Sequence, residues 1–191
     1  MKPTTFRAFV AGAVLATSAC FASADVLSFD DLASYGTLPT NYGGLDWSDS
    51  TWLAFGDTQD PYAAHSGDWR IATDFGSSDA DSTIHFLAPT VFDGAWFSGY
   101  GEAAVTFELY LSGALVASSV TLSPTSVASY LASGYAGLVD TVVVSSPLQA
   151  FYAMDDFTFH APVAAVPEPQ TWALMLGGLG LFAVLRRKRQ G

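Results

Sequence analysis

Hydrophobic and polar residues alternate through most of the middle of the chain, which is the pattern of half-buried β-strands and not of an amphipathic helix. The clearest stretch is AVTFELYLSGALVASSVTL, residues 104–122, in which every second residue from Val105 to Leu111 is apolar. Ser112 and Gly113 then supply a tight turn, and residues 114–122 return as a second strand. This stretch predicts an antiparallel hairpin with one apolar face.

Further stretches with the same alternation are separated by clusters of Gly, Ser, Pro and Asp. Residues 124–133 are predicted to form a short helix, because Thr125 and Ser126 could cap its start. About eight strands with one apolar face indicate an all-β domain over residues 25–160, an antiparallel, jelly-roll-like β-sandwich. The other predicted strands are residues 26–32, 83–87, 95–100, 137–145 and 150–160.

The first 24 residues have the composition of a secretory signal peptide. Two basic residues near the start precede a small-residue apolar core, and Ala22 and Ala24 then form an A-x-A cleavage site. The apolar run is too short for a membrane-spanning helix. Lipidation at Cys20 is an alternative. Cleavage after Ala24 would remove this only cysteine, so neither disulfides nor thiol chemistry would remain.

The chain ends in three segments of different character. Pro167, Glu168 and Pro169 cannot be helical, because each proline holds its predecessor in an extended conformation. Residues 172–185 carry no charge, and a helix of this length rises about 21 Å, short of the roughly 30 Å of a bilayer core. The segment is therefore a weak stop-transfer sequence that holds the chain transiently in the inner membrane. The basic residues that follow would stay cytoplasmic: Arg186, Arg187, Lys188 and Arg189.

This order of segments over residues 167–191 resembles the PEP-CTERM sorting signal, which is found on exported proteins of Gram-negative bacteria that produce extracellular polysaccharide. The resemblance implies that an exosortase recognises Pro167, Glu168 and Pro169 and removes the tail. Residues 161–166, rich in small side chains, are then a linker between the domain and the tail. A permanent C-terminal anchor is the alternative.

The formal net charge is -11, and nearly all the basic residues lie at the two ends of the chain. Of the 18 acidic residues, all except Glu168 lie between Asp25 and Asp156, where Arg70 is the only basic residue. A surface of this charge cannot neutralise phosphates, which excludes nucleic acid as a partner. It suits a soluble exported domain and divalent cations.

Two acidic pairs lie at opposite ends of the predicted domain, Asp30 and Asp31 in the first strand and Asp155 and Asp156 in the last. Neighbouring first and last strands would bring the pairs together. Strict alternation would turn Asp155 toward the apolar layer, together with Phe157. A buried carboxylate needs a partner. Oxygen ligands of this kind favour Ca²⁺, while a cluster of turn amides is an equal alternative.

The early F-D and the terminal A-M-D-D-F resemble MAM-like and galactose-binding-like jelly-roll modules. The stretch YGGLDW, residues 42–47, is similar to the body of many PEP-CTERM proteins. In the modules, acids at matching places hold a structural calcium or similar ion. The resemblance implies this role for Asp30, Asp31, Asp155 and Asp156. The acidic stretch 74–81 lacks the order of an EF-hand loop and is predicted to be a solvated loop.

The sequence contains no recognisable catalytic motif. His65, His85 and His160 are far apart, without metal-ligand spacing, and no serine lies in a G-x-S-x-G turn. Glu102 and Glu108 would lie about 20 Å apart along a strand, too far for a glycosidase pair. A non-catalytic protein is therefore predicted.

Aromatic residues that lie in loops or beside glycines, Tyr35 and Trp69 among them, favour carbohydrate binding, because exposed rings stack on sugars. Trp47 and Trp52, which flank a polar loop, are the preferred candidates, whereas Trp96 is assigned to the core. The sequence thus predicts an exported envelope or extracellular protein that is sorted by an exosortase, associates with exopolysaccharide or biofilm matrix, and binds glycan. A secreted polysaccharide hydrolase is the alternative function.

Overall fold

The structure is a computed structural model, and it describes residues 23–73, 81–162, 175–179 and 186–187. Ala22–Pro162 form one compact unit. Most of the predicted signal peptide, including Ala22, lies outside the described residues, as do the acidic residues 74–80. Ala24 is described and is the first residue of a strand.

The described residues of the compact unit form twelve strands and one short 3-10 helix, Gly101–Ala103. In chain order the strands are β1 (Ala24–Leu27), β2 (Gly36–Thr37), β3 (Asn41–Tyr42), β4 (Leu45–Asp46), β5 (Trp52–Phe55), β6 (Arg70–Thr73), β7 (Asp81–Gly99), β8 (Thr106–Leu111), β9 (Ala114–Ser118), β10 (Ser129–Ala132), β11 (Val139–Ser145) and β12 (Tyr152–His160).

The strands form two antiparallel sheets that share β7. The first sheet has the order β2, β5, β6, β12, β7 and β10, with β1 also beside β12. The second has the order β3, β4, β7, β11, β8 and β9. Residues 91–99 of β7 pair with β12 and residues 81–90 pair with β11, so this strand passes from one sheet to the other. The predicted antiparallel β-sandwich is confirmed.

Aromatic rings from both sheets fill the space between them. Phe107 of the second sheet contacts Phe92 and Phe97 of the first, with ring centroids 4.8 Å and 5.6 Å apart. Phe157 stacks on Phe92 at 4.7 Å. Ring pairs of this kind contribute about 0.5–1.5 kcal/mol each beyond the area they bury.

The predicted hairpin of residues 104–122 is confirmed as β8 and β9. Its turn residues Ser112 and Gly113 have φ of 51° and 78°, the left-handed values that a tight two-residue hairpin turn requires. The apolar face is buried: Val105, Phe107 and Leu109 are all 0 % exposed.

The predicted strands 83–87 and 95–100 are present, but as parts of one long strand, β7, which ends at Gly99 and passes between the sheets without a turn. One prediction of local structure is wrong. Residues 124–133 form no helix. Thr125 accepts the N–H of Val127 at 3.2 Å in a local turn, and β10 follows, paired with β7. Pairing along a long neighbouring strand outweighs a weak helix start.

The first and last strands lie side by side, as predicted, with Leu27 opposite Phe157. Asp30 and Asp31, however, lie in a turn beyond β1 and not within it. The preceding Phe29 has a φ of 62° and is completely buried, so its ring is fixed in the core where the chain turns. The two acids therefore leave the sheet as part of a loop.

A β-bulge in β12 overturns the predicted direction of Asp155. The register with β7 shifts between Asp155 and Thr158, and Asp156 has a φ of 45°. Met154 and Phe157 consequently both join the core, although they are three residues apart. Asp155 lies on the opposite face from Phe157, paired across from Trp96 of β7.

The C-terminal tail is described only in part. Residues 175–179, which lie within the predicted apolar helix, are helical, and so are Arg186 and Arg187, which directly follow that segment. The motif residues Pro167, Glu168 and Pro169 and the basic residues Lys188 and Arg189 lie outside the described residues. Within the described part of the chain, no helix is long and apolar enough to cross a membrane.

Candidate functional site

The two tryptophans preferred from the sequence are part of the core. Trp47 and Trp52 are 2 % and 1 % exposed, and their rings meet edge to face at 6.1 Å. Trp47 also donates its indole N–H to the carbonyl of Tyr42 at 3.0 Å. The prediction that these rings stack on sugar is wrong, because the fold turns both inward and leaves no free ring face.

Trp96, by contrast, is not in the core. Its ring lies on the outer face of the first sheet and is half-buried there. The His65 ring stacks on it at 3.4 Å, and Tyr130 of β10 lies against it at 5.6 Å. The histidine occupies one face of the Trp96 indole, so that face is not open to a sugar.

Two other aromatic residues line an open cavity of about 420 Å³ at one end of the first sheet. Tyr35 is 69 % exposed, and Trp69 is half-buried. Two exposed acidic residues, Asp57 and Asp68, also line this cavity. The remaining lining residues are Ala33, Ser34 and Gly56.

Strand pairing explains why these residues meet. Tyr35 directly precedes β2, Gly56 directly follows β5, and Trp69 directly precedes β6. Since β2, β5 and β6 are antiparallel neighbours, the start of β2, the end of β5 and the start of β6 lie at the same edge of the sheet. The Trp69 indole packs closely on Gly56, where an added Cβ would lie 2.8 Å from the ring.

A second cavity of about 250 Å³ adjoins the first and shares Gly56 and Asp68 with it. Its other walls are the loop of residues 58–64 and the side of Arg70. We call the two cavities together the loop cleft. Its upper rim is the segment between β5 and β6, residues 56–69.

Arg70 holds that segment in place from below. The side chain is 3 % exposed and lies over the Phe55 ring at 4.2 Å. It donates to the backbone carbonyls of Tyr62, Asp68 and Asp57 at 2.7, 2.9 and 2.6 Å. Burial lowers the pKa of the guanidinium, but an arginine in contact with three carbonyls stays charged. The one basic residue of the domain is thus used in loop structure.

The acidic pairs also hold this segment. Asp30 accepts the N–H groups of Asp68 and Trp69 at 2.9 and 3.0 Å. Asp155 accepts those of His65 and Ser66 at 2.7 and 3.0 Å. Turn amides, the alternative partners, are therefore present at both pairs.

Asp31 has a different partner, the hydroxyl of Tyr42. Burial, and after it this hydrogen bond, raises the pKa of the tyrosine. The described residues contain no group of three or more His, Cys, Asp and Glu side chains placed to hold a metal ion. Calcium binding by Asp30, Asp31, Asp155 and Asp156 stays a prediction.

Asp155 and Asp156 are buried where substrate has no access. They are 2 % and 7 % exposed, and neither lines the loop cleft. Burial is the main reason that the pKa of Asp155 rises to about 6. The adjacent His65 contacts Asp156 at 2.5 Å. A buried carboxylate with a raised pKa can be a catalytic acid, but this one is enclosed by the loop that it anchors.

The other two histidines are also paired with single carboxylates. His85 contacts Asp49 at 2.8 Å, and His160 contacts Asp93 at 2.9 Å. In the described part of the chain, each histidine therefore has its own aspartate at a different place on the sheets. These pairs therefore do not form one shared site of histidines and carboxylates open to substrate, which the alternative function, a polysaccharide hydrolase, would require.

Sequence reasoning included Tyr35 and Trp69 only among the loop aromatics and gave no role to Asp57 and Asp68. The available signals were the position of Tyr35 beside Gly36 and of Trp69 after Gly67 and an aspartate. The sequence does not show which aromatic side chains the strand pairing buries in the core.

Comparison with known proteins gives one match to a protein family and several to solved structures. Residues 165–190 match the family described as PEP-CTERM protein-sorting motif. No curated protein sequence matches the chain. Among solved structures, a variant of the carbohydrate-binding module CBM29-2 is 17 % identical, with 78 % of this chain and 99 % of that chain covered and a TM-score of 0.42.

Another CBM29-2 variant, complexed with mannohexaose, is 16 % identical, with 74 % of this chain and 92 % of that chain covered and a TM-score of 0.42. A family 29 carbohydrate-binding module is 15 % identical over 80 % of this chain and 98 % of its own, again with a TM-score of 0.42. At these scores no site residue is carried over. The chain carries a PEP-CTERM protein-sorting motif, and this marks it as an exported protein that is processed by an exosortase.

Proposed function

We propose that this protein is a non-catalytic glycan-binding protein of the cell envelope or extracellular matrix, and that the loop cleft is its binding site. The observation that carries the proposal is the wall formed by Tyr35 and Trp69 with two carboxylates beside it. Aromatic side chains offer flat apolar surface to the C–H face of a pyranose ring. Carboxylates accept hydrogen bonds from sugar hydroxyls, so Asp57 and Asp68 supply the polar half of the contact.

The placement of the cleft supports binding of a polymer. It is open and lies in a loop region at the end of a rigid sandwich, where recognition residues commonly sit. Its two cavities are adjacent, which gives room for more than one sugar unit along the rim. Among the described residues, the carboxylate with a strongly raised pKa is that of Asp155, a buried anchor outside the cleft. A binding role therefore accounts for the site better than a hydrolytic one.

Export places this activity outside the cytoplasm. Processing at Pro167, Glu168 and Pro169 would release the domain from the inner membrane of a Gram-negative bacterium, next to the exopolysaccharide or biofilm matrix it binds. The intact mass of the protein recovered from its own cells and medium tests this step. A mass that starts at Asp25 and ends near Glu168 supports it. A full tail retained in the membrane fraction contradicts it and makes the tail a permanent anchor.

Binding is tested by calorimetric titration of the protein from its own cells with the exopolysaccharide of those cells and with neutral hexaoses of glucose, mannose and N-acetylglucosamine. Trp69→Ala and Tyr35→Ala are each expected to raise Kd about tenfold or more, since each removes one wall of the cleft. Tyr130→Ala is the matched control, because Tyr130 is an exposed aromatic residue that lies outside the cleft lining.

The results separate the candidate functions. If wild type binds and all three variants bind equally well, glycan recognition lies elsewhere on the domain. If no glycan binds at all, the protein is a structural coat protein and the proposal fails. Release of reducing ends during the titration would instead support the hydrolase.

A further inference from the structure

We propose that Asp30, with Asp155 and Asp156, clamps the loop of residues 65–69 and thereby sets the position of Trp69 and Asp68 in the loop cleft. These acids are positioning residues, and they act on a ligand through the loop. The expected effect on glycan binding rests on the proposed function. The clamping of the loop by the acids does not depend on that function.

One end of the loop is held by Asp30. A single carboxylate oxygen, Oδ1, accepts the N–H of Asp68 at 2.9 Å and that of Trp69 at 3.0 Å. Both donors belong to residues that line the cleft. Gly67 lies directly over the carboxylate with a φ of 50°, and a Cβ at this position would overlap the carboxylate of Asp30. The close approach of loop and carboxylate thus depends on a glycine.

The other end of the loop is held by the bulge in β12. Asp155 Oδ2 accepts the N–H groups of His65 and Ser66 at 2.7 and 3.0 Å. Asp156 accepts the Ser66 hydroxyl at 2.8 Å and contacts His65 Nδ1 at 2.5 Å. The His65 ring is in turn fixed on Trp96. The bulge is what allows two consecutive acids to reach the same loop.

Four of the five residues 65–69 thus donate their backbone N–H to Asp30 or Asp155, and the fifth is Gly67. Hydrogen bonds to a charged acceptor are stronger than neutral ones. A loop restrained in this way loses its conformational entropy on folding, so that loss no longer reduces the free energy of ligand binding. Without Asp30, the N–H groups of Asp68 and Trp69 both lose their shared acceptor, while β6, which begins at Arg70, stays paired with β5 and β12. We therefore expect the loss to appear in ligand affinity more than in global stability.

The experiment compares Asp30→Ala, Asp30→Asn and Asp31→Ala in the protein from its own cells. Asparagine keeps an Oδ1 that can accept both N–H groups, so it should rescue the alanine variant. Asp31 is the matched control, because it is the neighbouring exposed acid and its partner is Tyr42 and not the loop. The readouts are hydrogen exchange at the Asp68 and Trp69 amides, Kd for the exopolysaccharide of the same cells, and Tm.

Asp30→Ala is expected to speed exchange at both amides at least tenfold and to raise Kd about tenfold, while Asp30→Asn and Asp31→Ala stay near wild type. Unchanged exchange in folded Asp30→Ala overturns the clamp whether or not any glycan binds. If wild type binds glycan, and Asp30→Ala exchanges fast at both amides but keeps the wild-type Kd, the clamp is present and only the positioning role is overturned. If Asp30→Ala does not fold, Gly67→Ala is used, and it must weaken binding in the same way, because its Cβ displaces the carboxylate.

Discussion

His65 lies flat against Trp96, with 3.4 Å between the ring centroids and 12° between the planes. The imidazole covers an indole that would otherwise be an exposed aromatic face on the first sheet. His65→Ala should therefore shift the tryptophan emission to the red and raise its quenching by acrylamide. His85→Ala is the control, because His85 pairs with Asp49 and Thr141 and touches no tryptophan ring in the described residues. Equal quenching in the two variants would contradict the stacking.

Trp47 should matter for stability and not directly for ligand contact. It is 2 % exposed and contacts the rings of Phe29, Trp52 and Phe157. Trp47→Ala is expected to lower the free energy of unfolding by about 3–5 kcal/mol, since it leaves a large cavity. Trp69→Ala, at a half-buried position, should cost less than half as much. Urea denaturation of both variants measures the difference, and similar losses would show that Trp69 belongs to the core.

Alternation of apolar residues predicted the sandwich because a strand that is half-buried must obey a period of two. The hairpin of β8 and β9 follows this rule without interruption, and its turn was also identified correctly. The same rule failed at Asp155, because the positive φ of Asp156 inserts an extra residue into β12. Nothing in a pair of aspartates distinguishes a bulge from a continuous strand.

The candidate site was harder to predict than the fold. Composition identified aromatic residues as the recognition elements, but Trp47 and Trp69 look alike in sequence, each close to a glycine and an aspartate. Only the pairing of β2, β5 and β6 places the ends beside Tyr35 and Trp69 at one edge. One acid of each pair, Asp30 and Asp155, binds amides of a loop that lies 38–39 residues from the first and 89–90 from the second, a separation that the sequence does not reveal.

Asp155 should make the stability of the domain depend on pH. Burial raises its pKa from 3.8 to about 6, so the folded state favours the protonated form. The stability that Asp155 contributes is therefore fully present below about pH 3.8 and is lost as the pH rises through about 6. The size of this effect is about 3 kcal/mol. In Asp155→Asn the group does not titrate. The wild type should lose stability relative to this variant between pH 4 and 7, and a constant difference across that range would contradict the raised pKa.

Arg70 should resist replacement by lysine even though the charge is kept. Three backbone carbonyls accept from three different nitrogens of its guanidinium, and one ammonium cannot reach them all. Arg70→Lys leaves buried carbonyls without donors and is expected to cost about 2–3 kcal/mol of stability. Thermal unfolding measures the loss. Asp57→Asn is a useful comparison, since Arg70 contacts the backbone of Asp57 and the carboxylate can be neutralised without breaking that bond.

The charge of the loop cleft should determine which glycans bind. Asp57, Asp60 and Asp68 line its two cavities, and the guanidinium of Arg70 is committed to backbone carbonyls below them. A polymer of uronic acids would bring carboxylates against carboxylates, whereas a neutral chain meets only hydrogen-bond acceptors.

Neutral hexaoses should therefore bind at least tenfold more tightly than a hexamer of a uronic acid at low salt, and added salt should reduce this difference in affinity. The double variant Asp57→Asn with Asp68→Asn should also reduce the difference in affinity. Glu102→Gln, which removes an exposed charge outside the cleft, should leave that difference unchanged. Tighter binding of the uronic acid hexamer to wild type would contradict this prediction, because Arg70 is the only lysine or arginine in residues 25–160 and its guanidinium is already bound to backbone carbonyls.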